Sequence, residues 1–358
     1  MVSTMKCFVM LGVGRVGVLD KPVPHAGPND AVIRTTAALI CTSDTHTVAG
    51  AIGDRANLTL GHEAVGVIHE LGEVAAASGL FKIGQRVAVN AITPCFSCDN
   101  CQRGYSSQCG EMLGGWKFAN LKDGSFAEYF HVNNAIANLT PIPDGVTDEQ
   151  AAYCCDMLST GFVGAEHANI PIGGSVAIFS QGPVGLMATV GARLLGAGLV
   201  IGVESVPNRV ALAKRYGCDV VVDFSKEDPV AAIMTLTGGK GVDSAIEALG
   251  SARTFAAAVS VTRPGGTISN IGYHGDGENV PIPRLAWGVG MSDKTIRTAL
   301  CPGGAERMSR LLRLIQNGRV DPLPLTTHRF GFNEIEKAFA MMQTKADGMI
   351  KPLITFTS

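Results

Sequence analysis

Apolar and polar positions are patterned differently in the outer and middle parts of the chain. Up to about residue 150, short β-rich runs are broken by glycine and proline: Ala31–Thr36, Ala64–Glu70, Arg86–Asn90 and Glu128–Val132. That texture predicts a mainly antiparallel, barrel-like domain with long excursions. From about Thr160, apolar runs alternate with helical periodicity. Strands are expected at Ser175–Ser180, Leu199–Glu204, Val220–Phe224, Val242–Ala248 and Gly266–Ile271. Helices are expected between them at Pro183–Leu195, Pro207–Tyr216, Pro229–Thr237 and Ala252–Thr262. A sixth strand is expected at Thr295–Leu300. Strict strand–helix alternation implies a parallel sheet with helices on both faces. Farther on, amphipathic helices at Ala305–Gln316 and Asn333–Gln343 lead to a strand-like tail, Pro352–Phe356.

The 358 residues are 46% hydrophobic, enough for about two domains. Charged residues make up 17%, below the roughly 25% of an average globular chain, which excludes bulk disorder. Net charge is −2 and no Lys/Arg run exceeds two residues. Nucleic acid and anionic membranes are therefore not expected partners. The stretch Pro183–Val203 carries only Arg193 as a charge, but its five glycines fit a buried helix and strand better than a membrane span. The N-terminus has no secretory pattern, so a cytoplasmic location is expected. In a reducing compartment, the ten cysteines are expected as metal ligands, core residues or reactive thiols rather than disulfides.

Four of them, Cys95, Cys98, Cys101 and Cys109, read C-x2-C-x2-C-x7-C. Four thiolates in one short segment can close a tetrahedral shell around zinc and leave no open position, so the site would be structural. A ferredoxin-like iron–sulfur run would bring the fourth cysteine sooner, usually before proline; here Gly110 follows. Upstream, Cys41 lies in CTSDTH and His62–Glu63 in GHE, twenty residues on. A catalytic zinc keeps three protein ligands and one open position, and Cys41 and His62 could supply two. Ser43 could hydrogen-bond an alcohol, and His46 could pass its proton to solvent. For the third ligand, Cys154, Cys155 and Asp156 are all candidates; the two thiols could equally be core packing.

Strand Ser175–Ser180 runs into Ser180-Gln181-Gly182-Pro183-Val184-Gly185 and a helix. This is a dinucleotide-binding turn with serine in place of the first glycine, in the strand–turn–helix setting such a turn requires. Gly182 would let the backbone approach a pyrophosphate, Gly185 would let helix pack on sheet, and the helix N-terminus favours phosphate charge. Glu204 ends the next strand, where a carboxylate can accept from both adenine-ribose hydroxyls and repel a 2′-phosphate. Ser205-Val206-Pro207 offers no arginine. NAD is therefore expected over NADP.

Over essentially its whole length the chain resembles the zinc-dependent medium-chain dehydrogenase/reductase family, and within it the bacterial secondary alcohol dehydrogenases. The resemblance rests on CTSDTHTV at 41–48, LGHEAVG at 60–66, GGWKFAN at 114–120, KDGSFAEYFHVN at 122–133, ISNIGYHG at 268–275 and LCPGG at 300–304. It implies a GroES-like catalytic domain, 1–159 and 301–358, interrupted by a Rossmann domain, 160–300, with the active site in the cleft between them. It implies catalytic zinc on Cys41, His62 and Asp156, the last standing five residues before Gly161 where the family's ligand falls. Glu63 would be a carboxylate able to approach the metal. Trp116, Leu300, Cys301 and Ala91 would line an alkyl pocket, and Tyr273 would lie near a subunit contact in a homo-oligomer, tetrameric rather than dimeric. The implied reaction is hydride exchange between a secondary alcohol or ketone and the nicotinamide, with zinc as Lewis acid. A polyol or amino-alcohol substrate is the alternative within the family. Two departures stand out. The best-known secondary alcohol dehydrogenases lack the four-cysteine lobe, and they carry glycine and arginine where this chain has Glu204 and Val206.

Overall fold

The structure, a computed structural model, describes residues 3–110 and 120–356. They fall into two compact units, Met1–Ser159 with Cys301–Ser358, and Thr160–Leu300. The described residues form fifteen strands. The first unit holds β1 (Thr4–Gly12), β2 (Arg15–Pro22), β3 (Ala31–Leu39), β4 (Ala64–Leu71), β5 (Arg86–Val89), β6 (Tyr129–Val132) and β7 (Leu139–Pro141). The second holds β8 (Ser175–Phe179), β9 (Leu199–Val203), β10 (Val220–Val222), β11 (Val242–Glu247), β12 (Thr262–Asn270) and β13 (Thr295–Thr298). The chain then returns to the first unit with β14 (Thr326–Gly331) and β15 (Lys351–Thr355).

In the second unit all six strands are parallel, in the order β10-β9-β8-β11-β12-β13. Their apolar faces, including Ala177, Phe179, Ile201, Ala245 and Ile268, are buried beneath covering helices that contribute Ile233 and Phe255. Three of these helices begin with proline, Pro183, Pro207 and Pro229, whose fixed φ and missing N–H suit the first helical position. The strand order reverses direction at β8, so the carboxyl end of β8 is the topological switch point where doubly wound sheets take ligands. Here the expected strand ends one residue early: Ser180 leaves it with φ +76°, taking the left-handed conformation a glycine usually supplies.

The first unit is a seven-stranded sheet, β14-β15-β3-β4-β5-β7 with β6 also on β3, plus the hairpin β1–β2. It is antiparallel except for β14 and β15. Its core gathers Phe8, Ile33, Leu60, Phe126, Phe130 and Phe339. Strand β15 pairs with the end of β3, Leu353 opposite Leu39. β3 in turn pairs with β4, Ala38 opposite Ala64. This register sets the end of β3, the start of β4 and the start of β15 side by side, and the residues flanking those ends build the site below. Among the described residues no helix is long and apolar enough to cross a membrane.

Candidate active site

Cys41 follows the end of β3 and heads a short helix, Thr42–Val48. Its backbone N–H donates to Asp44 Oδ2 at 2.8 Å, so Asp44 closes the first turn. His62 precedes β4, and the turn before it requires Gly61: φ is +90° there, and a Cβ would run into the Phe126 ring. Asp44 Oδ1 lies 3.2 Å from His62 Nδ1, which fixes the ring and turns Nε2 inward. A carboxylate on the far nitrogen of a metal-binding histidine sets both its tautomer and its orientation. Burial works to depress the His62 pKa, but Asp44 and Asp156 override it and the net shift is upward.

Asp156 comes from the long helical stretch that starts at Asp148. Between Asp148–Tyr153 and Ser159–His167 the helix widens to a π-type turn, Cys154–Leu158. Such widenings insert a residue into the helical register and are frequent at functional sites. In this turn Cys154 and Cys155 are fully buried while Asp156 is not. Burial pushes both thiols well up, and Cys155 Sγ lies 3.5 Å from the Ala64 carbonyl. Asp156 Oδ2 stands 3.5 Å from His62 Nε2 and 4.0 Å from Cys41 Sγ.

The ligand atoms of Cys41, His62, Glu63 and Asp156 all lie within 4.8 Å of one another. One thiol, one imidazole and one carboxylate, with the imidazole already oriented by a second carboxylate, match zinc's preferred donors. Ser43 Oγ is 3.3 Å from His62 Nε2 at the exposed rim, and His46 is exposed on the same helix. Glu63 is fully buried and pairs with the equally buried Lys351, Nζ to Oε1 2.6 Å. The sequence reading missed Asp44 and Lys351. Asp44 carried a signal, an acid three residues after the residue that caps the helix; Lys351 carried none.

The second cluster joins Cys95, Cys98, Cys101 and Cys109, also within 4.8 Å. Three of its sulfur separations are 3.5, 4.0 and 4.0 Å, near the ~3.8 Å edge of a tetrahedron with Zn–S about 2.3 Å. The amides of Ser97 and Cys98 donate to Cys95 Sγ, and that of Cys95 to Cys109 Sγ. Against burial, hydrogen bonds from Ser97 and Cys98 hold the Cys95 thiol down to about 6. These residues fit a closed, structural zinc shell.

Both family models that match the chain fit this picture: the alcohol dehydrogenase GroES-like domain over residues 27–144, and the zinc-binding dehydrogenase domain over 183–317. The chain belongs to the zinc-dependent alcohol dehydrogenases. The NADP-dependent isopropanol dehydrogenase of Thermoanaerobacter brockii is 51% identical over 353 residues, covering 98% of this chain and 99% of that protein. An alcohol dehydrogenase of Cupriavidus necator is 45% identical, covering 98% of each chain. Among solved structures, the alcohol dehydrogenase TADH from Thermus sp. ATN1 superposes with a TM-score of 0.89 at 29% identity, covering 99% of this chain and all of that one. The enzyme is thus a GroES-like domain with an inserted Rossmann-type parallel sheet, and its family works with zinc and a nicotinamide cofactor.

The remaining expected residues fall in three places. In the second unit, a Cβ on Gly185 would collide with the Ser180 carbonyl, so the glycine is needed for the helix to meet the strand. A Cβ on Gly182 would meet only the Ser180 hydroxyl, at 3.7 Å, and Pro183 and Val184 open the helix. Glu204, just past β9, is buried; its carboxylate accepts from the amides of Gln181, Ser205 and Val206 at 3.1, 2.9 and 3.1 Å. In the first unit, Ala91 and Cys301 form a small apolar cluster with Ile92. Leu300, in the second unit, is 38% exposed. Trp116 lies outside the described residues.

Proposed function

We propose that this enzyme interconverts secondary alcohols and ketones, holding its catalytic zinc on Cys41, His62 and Asp156 and preferring NAD. The observation that carries the reading is the convergence of those three donor atoms, 3.5 to 4.0 Å apart where measured, beside a hydroxyl and an exposed histidine. When bound, zinc supplies Lewis acidity toward an alcohol or carbonyl oxygen, and the nicotinamide exchanges the hydride. Ser43 accepts the proton of the substrate hydroxyl as it passes its own on toward His46, which releases a proton to solvent. Ala91 and Cys301 favour an alkyl group over a polyol. Our NAD preference departs from the NADP-dependent names of several relatives. It rests on Glu204, which three amides hold in place, and on Val206, which offers no charge to a 2′-phosphate. Arg209 pairs with the same carboxylate, 3.7 Å from Glu204 Oε2.

Initial rates with 2-propanol and each cofactor test the preference. A carboxylate–diol contact plus phosphate repulsion amounts to ~2–4 kcal/mol, or about 30- to 1,000-fold in kcat/KM. Glu204→Gly with Val206→Arg should reverse the preference. Equal efficiency of the wild type on both cofactors would refute it. We also infer a homo-oligomer, since β13 is an edge strand and Leu285 and Met291 are 76% and 80% exposed; the family resemblance favours a tetramer. None of the ten cysteines is in a disulfide, which supports a cytoplasmic location.

A further inference from the structure

Asn90 is a polar side chain sealed inside an apolar region, and neither the ligand set nor the proton path uses it. It is the first residue past β5 and is fully buried. A buried carboxamide is costly unless its atoms find partners. Asn90 finds them in three parts of the chain. Its Oδ1 accepts from the Ile92 amide at 2.9 Å and lies 3.6 Å from Cys301 Sγ. Its Nδ2 donates to Met308 Sδ at 3.3 Å, in the helix Ala305–Gln316. The chemistry of the partners fixes this orientation: a backbone N–H can only donate, so the oxygen must be the atom that faces Ile92.

The bond to Ile92 spans two residues and closes an Asx turn, which bends the chain as it leaves the sheet. Ala91 sits inside that bend, and its N–H donates to the Cys155 carbonyl at 2.9 Å. Cys301 Sγ lies 3.7 Å from the same carbonyl. Ala91, Ile92 and Cys301 are the small apolar cluster described above. The returning chain is pressed against the same bend: a Cβ on Gly303 would run into the Ile92 carbonyl. The two sides of the cluster thus come from distant segments, Asn90 and Cys301 being 211 positions apart, and one carboxamide bonds to both.

We propose that Asn90 is a positioning residue that fixes the alkyl wall of the substrate site, holding Ile92 and Cys301 together so that small alkyl groups are accepted and bulky ones refused. The inference rests on the reading that Ala91 and Cys301 line that wall. Its test is the ratio of kcat/KM for 2-propanol to kcat/KM for 3,3-dimethyl-2-butanol, because this ratio does not depend on how much of the enzyme is folded or loaded. One methylene in a hydrophobic pocket is worth about 10- to 200-fold in such a ratio. Asn90→Ala removes every partner of the carboxamide and should lower the ratio by about 10-fold or more, as the bulkier alcohol gains. Asn90→Ser is close to alanine in size, but its hydroxyl can accept from Ile92 in the same kind of turn, so it should keep most of the wild-type ratio. A lower Tm in both variants with the ratio unmoved would mean a purely structural asparagine and overturns the proposal. Ala91→Val separates that failure from failure of the pocket reading. It should narrow the wall and raise the ratio; if it does not, the wall lies elsewhere and the proposal falls with the reading. If Asn90→Ala does not fold, Asn90→Val decides, since it fills the space but accepts no hydrogen bond. The same fall in the ratio supports the proposal, and an unchanged ratio overturns it.

Discussion

The four-sulfur cluster draws its ligands from one segment, Cys95 and Cys109 being 14 positions apart, whereas Cys41 and Asp156 in the second cluster are 115 apart. The first site closes a loop around itself. Its sulfurs are held by amides of the same segment, and its helix, Asp99–Gln102, is a single turn that could not stand alone. The second site is carried by the sheet: β3 delivers Cys41, β4 follows His62, and a widened helix delivers Asp156. A shell built by a loop is complete and saturated. A shell built by a scaffold can stop at three ligands, because the fold and not the metal sets where the donors stand. Loss of a ligand should therefore abolish chemistry at one site and only loosen structure at the other.

The largest expected effect is at Asp156. Asp156→Ala should lose the catalytic zinc and nearly all activity while keeping one zinc per chain, read by metal analysis beside an NADH absorbance assay. Cys155→Ala should keep both zincs, since its thiol lies buried against the Ala64 carbonyl. Its cost is that of a small core deletion. An essential Cys155 with a dispensable Asp156 would place the ligand one residue away and break the comparison at its root.

Asp44 gives the next effect. It is 3% exposed and acts through the His62 ring and the first turn of the helix. Asp44→Ala should cost about 10- to 100-fold in metal affinity. Asp44→Asn, which can still accept one hydrogen bond, should cost less. A merely structural role would lower Tm equally in both variants without moving zinc affinity. In that case the catalytic shell would not depend on scaffold positioning as argued above.

What the sequence made legible follows the same division. The cysteine spacing is local, so the four-sulfur site could be read from residue types alone. The alternating strands and helices of the second unit were also readable, because each βαβ step carries its own apolar runs and three of the helices open on proline. The hairpin β1–β2 and the strand β14 went unread. Neither shows clean alternation, and each becomes a strand only through its neighbour. Asp156 was placed by resemblance, since the widened turn that sets its register leaves no periodic mark. Lys351 was invisible: in MIKPL it reads as a polar residue at a strand end, and its partner Glu63 is 288 positions away.

The smallest expected effect on chemistry, and the sharpest test of the comparison, is at the four-sulfur cluster. Cys98 is a half-buried member of the cluster that also heads the single-turn helix. Cys98→Ser replaces a soft thiolate with a hydroxyl that zinc holds poorly, leaving three sulfurs and an open position. The protein should then carry one zinc instead of two. The loop loses its closure, and Tm should fall by about 2–4 °C for each 1 kcal/mol lost in a unit of this size. Catalysis should change by no more than about twofold, since the two clusters share no ligand and independent sites add to within roughly 0.5 kcal/mol. The readouts are zinc per chain, Tm by calorimetry and kcat/KM with 2-propanol at a temperature well below the transition. A large fall in kcat/KM with Tm unchanged would mean that the loop shapes the active site directly, and the two clusters would then have to be treated as one.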